Sequence, residues 1–315
     1  MHTLLILSRH ARDYRELIEL ARLPDLAIVA TSEPFEAVAN AASFDLAFGE
    51  PSLLRHVVPA MTALRWVQAT WAGVEPLLDP ALRRDYILTN ARGVFGEQMS
   101  EYVFAYALAH ERRIFARDAS QRAGRWDPEP PTRLRGKQIG LLGVGTIGAA
   151  LARTAKHFGM RVKGYTRASE DSADVDQYFH GPLTDVSASF GSELDYLVSV
   201  MPDTSQTRHL VDAALLRALP PRCIFINPGR GGVVDEVALT AALQDGRLAG
   251  AVLDVFDTEP LPTDHLFWRL PNVRITSHTA ALSAPSDIAP LFIDNYRRLL
   301  RGEPLQHRVD FERGY

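Results

Sequence analysis

The 315-residue sequence contains only one cysteine, Cys223, so no disulfide can form within the chain. This cysteine lies in the apolar run CIFIN, which predicts a buried, unreactive thiol and favours a cytoplasmic location. The formal net charge is only −4, and we find no basic patch of the kind that binds nucleic acid or an anionic membrane. No apolar run approaches the ~20 residues that span a bilayer, and the first residues become charged too early for a signal peptide. We therefore expect a soluble cytoplasmic protein with no nucleic-acid or membrane partner, and we predict no metal site.

The order of apolar runs predicts an α/β protein. A length of 315 residues and a hydrophobic content of 46% suffice for two domains. Short apolar runs between polar helical stretches predict a first series of strands at 3–8, 25–30, 44–49, 64–70 and 86–90. A second series is predicted at 138–143, 160–166, 194–201, 223–228, 250–256 and 273–278. Such alternation is typical of βαβ crossovers and parallel sheets.

Three segments frame the second series of strands. Residues 96–117 are apolar at helical spacing, contain no proline, and predict one long helix that bridges two domains. Residues 122–136 contain glycine and three prolines, which predicts a loop or domain margin. The final predicted helix, at 289–303, follows the completed second sheet, so we expect it to lie between the domains or to return to the first one.

Gly143, Gly145 and Gly148 form the pattern G-x-G-x-x-G after the apolar strand IGLL, and Thr146 opens a predicted helix. In this context the first glycine permits a tight turn, the second lets a pyrophosphate approach the backbone, and the third allows close packing of helix on strand. The helix N-terminus also attracts the anion. The pattern predicts a dinucleotide site, the alternative being a tight turn without a ligand.

The next predicted strand ends in GYTR and bears on the choice of cofactor. An acid usually stands there in NAD-binding domains and hydrogen-bonds the ribose hydroxyls, but this chain has Thr166 and Arg167. No carboxylate at these positions repels a 2′-phosphate, and the Arg167 guanidinium can form charge-assisted hydrogen bonds with one. We predict NADP(H), with NAD(H) as the alternative if Arg167 is only a solvated loop cation.

Polar residues follow several predicted strands of the second series. Arg230 follows the strand CIFINP, Asp254 and Glu259 follow GAVL, and His278 follows VRITS. Ligands of open α/β sheets bind outside the carboxyl ends of the strands. Each residue alone is compatible with an ordinary loop role, but their equivalent positions make them candidates for a common site.

Five stretches of the second half carry a specific combined pattern: GVGTIG (143–148), MPDTSQT (201–207), NPGRGGVVDE (227–236), GAVLDVFDTEPLP (250–262) and WRLPNVRITSHTAA (268–281). Two stretches of the first half match more loosely, QATWAGVEPLL (68–78) and TNARGVFGEQMSEYV (89–103). In order and approximate spacing, this set resembles the D-isomer-specific 2-hydroxyacid dehydrogenase family.

The resemblance implies two Rossmann- or flavodoxin-like domains with parallel sheets. A dinucleotide-binding Rossmann domain, residues 101–285, is then inserted into a flavodoxin-like substrate domain formed by residues 1–100 and 286–315. This insertion explains why the glycine pattern comes so late in the chain. Members of the family place the active site in the cleft between the domains, and they are usually homodimers; here 102–115 and the following proline-rich loop are the candidate contact.

The family's catalytic trio corresponds to Arg230, Glu259 and His278. Reduction of a 2-keto acid places negative charge on the carbonyl oxygen, which an imidazolium can stabilise and then protonate. A carboxylate beside the imidazole favours the charged form, so Glu259 is expected to keep His278 protonated and oriented. The planar fork of Arg230 is expected to hold the substrate carboxylate and carbonyl.

The resemblance also implies cofactor and substrate residues. The expected cofactor contacts are Gly143, Gly145, Thr146, Ile147, Gly148, Thr166, Arg167, Met201, Pro202, Thr207, Pro228, Gly229, Arg230, Asp254, His278, Ala280 and Ala281. The expected substrate contacts are Trp71, Ala72, Gly73, Arg230 and Trp268.

Three positions depart from the commonest family pattern. The missing acid at Thr166 and Arg167 puts NAD preference in doubt, Trp71 replaces a smaller residue, and Ser277 replaces the usual proline before the histidine. The combination is most similar to the glyoxylate/hydroxypyruvate reductase branch. We therefore predict an NADP-preferring reductase of a small 2-keto acid. The alternatives are a nucleotide-sensing, corepressor-like binding protein and a short phosphoglycerate dehydrogenase.

Overall fold

The computed structural model describes residues 1–314 and divides into two compact units. Unit 1 comprises Met1–Val94 and Ser283–Tyr315, and unit 2 comprises Phe95–Leu282. Each unit contains one sheet in which every strand pair is parallel. The α/β prediction with two parallel sheets is therefore confirmed. Within residues 1–314, the longest apolar helices fall short of what is needed to traverse a bilayer.

The five strands of unit 1 are ordered β2-β1-β3-β4-β5. Their bounds are β1 His2–Leu7, β2 Leu26–Thr31, β3 Leu46–Gly49, β4 Trp66–Ala69 and β5 Ile87–Thr89. The seven strands of unit 2 are ordered β12-β11-β10-β9-β6-β7-β8. Their bounds are β6 Gln138–Leu142, β7 Arg161–Tyr165, β8 Gln177–Phe179, β9 Tyr196–Ser199, β10 Ile224–Asn227, β11 Gly250–Leu253 and β12 Val273–Ile275.

Ten α-helices connect and cover these strands in the described part of the chain. They are α1 Ala11–Leu20, α2 Pro34–Val38, α3 Pro51–Leu54, α4 Gly96–Glu111, α5 Ile114–Arg122, α6 Thr146–His157, α7 Leu183–Gly191, α8 Ala213–Ala218, α9 Glu236–Gln244 and α10 Pro285–Leu300. Local chemistry fixes several of their starts. Proline, whose ring presets the helical φ, begins α10, and the Asp212 and Asp235 carboxylates accept hydrogen bonds from the first turns of α8 and α9.

The core of unit 1 contains an aromatic cluster that includes the last helix. The Phe292 ring on α10 stacks on Trp66 of β4, with centroids 5.0 Å apart, and lies 5.2 Å from Phe48 of β3. Tyr14 of α1 meets Phe48 edge to face. Because α10 completes this core, the chain returns to unit 1 after passing through unit 2.

Two features of unit 2 differ from the sequence predictions. The predicted single helix 96–117 ends at Glu111, and a new helix begins at Ile114. Between them Arg113 adopts a left-handed conformation, φ 56°, which no helix continues through. β8, an edge strand of three residues next to β7, was not predicted from the sequence.

Candidate active site

The glycine loop between β6 and α6 fits a phosphate group. Gly143 has φ +97°, a conformation that L side chains rarely adopt. A Cβ on Gly148 would stand 2.2 Å from the Gly143 carbonyl oxygen, so that position accepts only glycine without a shift. A Cβ on Gly145 would meet nothing within 4 Å, so the space over this residue is open toward the N-terminus of α6. Thr146 and Ile147 form the first turn of that helix, whose free N–H groups favour an anion.

The loop after β7 lies at the same edge of the sheet. Thr166 is buried, and its hydroxyl donates to the Ser169 carbonyl at 2.7 Å. The Arg167 guanidinium reaches Gln206 at 3.4 Å, which connects this loop to the segment after β9. Glu170, three residues after Arg167 in the sequence, accepts a hydrogen bond from His180 Nε2 at 2.7 Å. The end of β7 therefore presents the Arg167 guanidinium, while the first acids after it, Glu170 and Asp171, accept hydrogen bonds from His180 and Ser169.

Two further loops complete the expected cofactor side of unit 2. Met201 lies over the glycine turn, since its Cγ is 3.2 Å from where a Gly143 Cβ would be. The Thr207 hydroxyl donates to the Pro202 carbonyl at 2.6 Å and accepts from the Thr204 N–H at 2.9 Å, so this side chain holds its own loop together. After β10, Pro228 and Gly229 are buried. A Cβ on Gly229 would lie 2.8 Å from the Ser199 carbonyl oxygen, so the two loops pack closely.

Arg230, Glu259 and His278 follow three neighbouring strands, β10, β11 and β12. His278 Nδ1 and Glu259 Oε2 are 2.8 Å apart. Because a carboxylate only accepts, Nδ1 carries a proton, and Nε2 makes no hydrogen bond within residues 1–314. The second Glu259 oxygen accepts from the Phe256 N–H at 3.0 Å, which fixes the carboxylate. The structure thus brings the predicted acid and imidazole together.

The electrostatics of the pair suit an imidazolium. The hydrogen bond with Glu259 raises the pKa of His278 above its ordinary value, although burial and the charge of Arg230 act against this. Burial raises the pKa of Glu259, but the hydrogen bonds from His278 and the Phe256 N–H outweigh it, so the carboxyl titrates below its usual range. The positive charge of Arg230 lowers the pKa of both Glu259 and His278, so Arg230 acts electrostatically on the pair. His278 remains 54% exposed in its side chain and is open to a ligand.

Asp254, at the end of β11, is 1% exposed and holds the segment that carries His278. Its carboxylate accepts from the N–H groups of Thr279 and Ala280, each at 2.9 Å, and from the Thr276 hydroxyl. Its backbone carbonyl accepts from the His278 N–H at 2.8 Å. Thr276 was not among the residues predicted from the sequence, because its partner Asp254 lies 22 residues away along the chain and the two meet only in the fold.

The expected substrate residues divide between the two units. In unit 2, the Trp268 indole donates to the Pro262 carbonyl at 2.9 Å and is half exposed. Trp71, Ala72 and Gly73 belong to unit 1, where they follow β4. There the Asn90 side chain donates to the Ala72 carbonyl at 2.7 Å and fixes the loop.

Comparisons with known proteins agree with this geometry. The NAD-binding domain of the D-isomer specific 2-hydroxyacid dehydrogenases matches residues 104–280. A glyoxylate/hydroxypyruvate reductase A from Klebsiella pneumoniae is 33% identical over 260 residues, which cover 80% of this chain and 82% of that protein. A crystal structure of a D-isomer specific 2-hydroxyacid dehydrogenase family protein from Aeromonas salmonicida is 39% identical, with a TM-score of 0.92 over 98% of this chain and 99% of the other.

A third relative was crystallised with a cofactor. The NADPH-dependent glyoxylate/hydroxypyruvate reductase from Sinorhizobium meliloti, in complex with NADP and sulfate, is 28% identical, with a TM-score of 0.84 over the whole of both chains. The extent of these matches leaves no ambiguity about the family, since they include both units. The chain belongs to the D-isomer specific 2-hydroxyacid dehydrogenase family.

Proposed function

We propose that this chain is an NADPH-dependent reductase that converts a small 2-keto acid, such as glyoxylate or hydroxypyruvate, into the corresponding 2-hydroxy acid, which is the D isomer where the product is chiral. The observation that carries the proposal is the 2.8 Å contact between His278 Nδ1 and Glu259 at the strand ends of a glycine-loop nucleotide domain. The names of the similar reductases support the same substrate class.

The side chains account for binding and for proton transfer. Arg230 holds the carboxylate of the 2-keto acid by charge-assisted hydrogen bonds. NADPH, when bound, supplies the hydride that reduces the keto carbon. His278 donates the proton from Nε2 to the developing alkoxide, while Glu259 stabilises the imidazolium through Nδ1. In the oxidation direction, neutral His278 accepts the hydroxyl proton.

The residues at the end of β7 support a preference for NADP(H). Arg167 provides a guanidinium, and Thr166 stands where an acid would repel the 2′-phosphate. The variant Arg167→Asp is expected to weaken NADPH binding about tenfold or more while changing NADH binding less, because only NADPH carries the 2′-phosphate. Equal effects on the two cofactors, measured by fluorescence titration, would contradict the assignment.

Initial rates test the activity. NADPH and NADH are each assayed against glyoxylate, hydroxypyruvate, pyruvate and phenylpyruvate, with wild type and His278→Ala. We expect oxidation of NADPH with at least one of these acids, and a loss of about 100-fold or more in kcat for His278→Ala with NADPH affinity retained. If the wild type oxidises neither cofactor with any acid, a nucleotide-binding protein without this activity becomes the better interpretation.

The finer assignments concern assembly and location. We infer a homodimer formed through α4, α5 and the proline-rich loop, because Ile114 is 51% exposed, Phe115 40% and Trp126 92%. Light scattering is expected to give about twice the chain mass of 34.9 kDa, and a monomer mass would contradict the inference.

A cytoplasmic location is consistent with NADPH as reductant and with a free, buried Cys223.

A further inference from the structure

The segment that carries His278 has an unusual backbone. It begins with Thr276, directly after β12, and runs to Leu282 at the end of unit 2. Within it His278 has φ +57°, a left-handed conformation that residues other than glycine rarely adopt. Such a conformation persists only where the surroundings hold it. The contacts on each side of His278 therefore bear on where the imidazole lies.

Tyr102 of α4 holds the segment before His278. Its hydroxyl is 2.8 Å from the Thr276 hydroxyl, which in turn donates to the Asp254 carboxylate. Asp254 accepts from the N–H groups of Thr279 and Ala280 as well. A chain of hydrogen bonds thus runs from the helix through a buried carboxylate to the residues next to the imidazole.

Gln98 of α4 holds the segment after His278. Its side-chain amide donates to the Leu282 carbonyl at 3.1 Å, and its oxygen accepts from the Leu282 N–H at 2.8 Å. A side-chain amide has both a donor and an acceptor, so it can pair with the N–H and the carbonyl of a single residue in this way. The two-point contact fixes both the position and the orientation of the Leu282 backbone.

Gln98 and Tyr102 are four residues apart, so they project from the same face of α4. We propose that these two side chains are positioning residues which clamp residues 276–282 on both sides of His278 and so hold the imidazole against Glu259. The proposal rests on the proposed function for its kinetic consequence, because His278 is the proton donor there. Neither side chain is a catalytic residue, since both act through the backbone of the segment.

The variants Tyr102→Phe and Gln98→Met each remove the hydrogen bonds of the clamp and keep most of the side-chain volume. We expect kcat for 2-keto acid reduction to fall about fivefold in each and about 20-fold or more in the double variant, while the Kd for NADPH stays within about twofold. Tyr106→Phe is the matched control, because Tyr106 packs on Tyr102, with ring centroids 5.0 Å apart, and its hydroxyl has no hydrogen-bond partner within residues 1–314. Wild-type kcat in the double variant would overturn the proposal.

A second measurement does not depend on activity. The charged groups that act on His278 are Glu259 and Asp254, which raise its pKa, and Arg230, which lowers it. NMR titration of the His278 ring, assigned through its absence in His278→Gln, is expected to give a lower pKa in the double variant, because a loosened segment weakens the contact with Glu259. A loss of thermal stability alone, with an unchanged titration curve, would mean a merely structural role and would overturn the clamp. If the wild type reduces no 2-keto acid, the proposed function fails, and the titration still decides the clamp.

Discussion

The two units have the same strand–loop–helix arrangement at the first strand of each sheet, but the two loops use their polar groups differently. In unit 1, the loop after β1 is occupied by an internal acid. The Glu50 carboxylate, at the end of β3, accepts from the Ser8 hydroxyl at 2.9 Å and from the Arg9 N–H at 2.8 Å, and it pairs with the Arg9 guanidinium at 3.1 Å. The strand order of unit 1 places β1 and β3 side by side, which is where nucleotides bind in related sheets.

In unit 2, the loop after β6 has no such internal acid. Across residues 1–314, no carboxylate accepts a hydrogen bond from the backbone of residues 143–148, and the space over Gly145 is open. The comparison teaches that the α/β architecture alone does not make a nucleotide site. Whether such a loop can bind a nucleotide depends on whether the hydrogen-bond donors of the loop after the first strand are already paired with an acid of the protein. Changes at these two loops therefore test the distinction most directly.

The largest effect is expected when an acid is placed in the loop of unit 2. Gly145 has φ −82°, so any L residue fits its backbone, and a new Cβ meets nothing within 4 Å. Gly145→Asp is expected to weaken NADPH binding about 100-fold with little change in stability, because its charge repels the pyrophosphate. Gly145→Asn is the control for size and is expected to weaken binding less. If both variants bind NADPH equally weakly in fluorescence titration, steric exclusion rather than charge is responsible.

The reverse change removes the acid from unit 1. Glu50 is 5% exposed, and Glu50→Gln keeps an acceptor but loses the charge that binds Arg9. We expect the free energy of unfolding in urea to fall by about 2 kcal/mol, since hydrogen bonds to a buried charged group are worth that order. NADPH should still bind at one site per chain, because unit 1 has Ser8 and His10 where unit 2 has Gly143 and Gly145. A second NADPH per chain in equilibrium dialysis would show that the acid alone blocks unit 1.

The sequence predicted the alternation of strands and helices well, because buried parallel strands are continuous apolar runs. It failed at two places where the signal is tertiary. β8 is only three residues long and is a strand because it pairs with β7 at the sheet edge. The helix 96–117 breaks at Arg113 without a glycine or proline to mark the break.

The residues of the candidate site also divide into those that the sequence could identify and those that it could not. Arg230, Glu259 and His278 could be selected because each follows a strand of one series, and strand ends share an edge. Gln98, Tyr102 and Thr276 could not, since they are ordinary polar residues in sequence and gain their contacts only when α4 packs beside the end of β12. Spacing along the chain identifies groups at strand ends but not the helix side chains that hold them.

The smallest expected effect concerns the two strand-end acids and their partners. Glu50 pairs with an arginine, which stays charged at all accessible pH values, whereas Glu259 pairs with His278, which titrates. Because Glu259 raises the pKa of His278, the proton donor stays charged to higher pH, and the reduction rate falls only when pH rises through that raised value. Oxidation needs the neutral imidazole, so its rate should rise over the same pH range.

Glu259→Gln removes the cause of the raised His278 pKa, so the fall in kcat/KM for reduction should move to lower pH, with about tenfold less activity at pH 8. Glu50→Gln is the matched control: an identical displacement of its pH profile would mean that the shift reflects general loosening rather than the acid beside the imidazole.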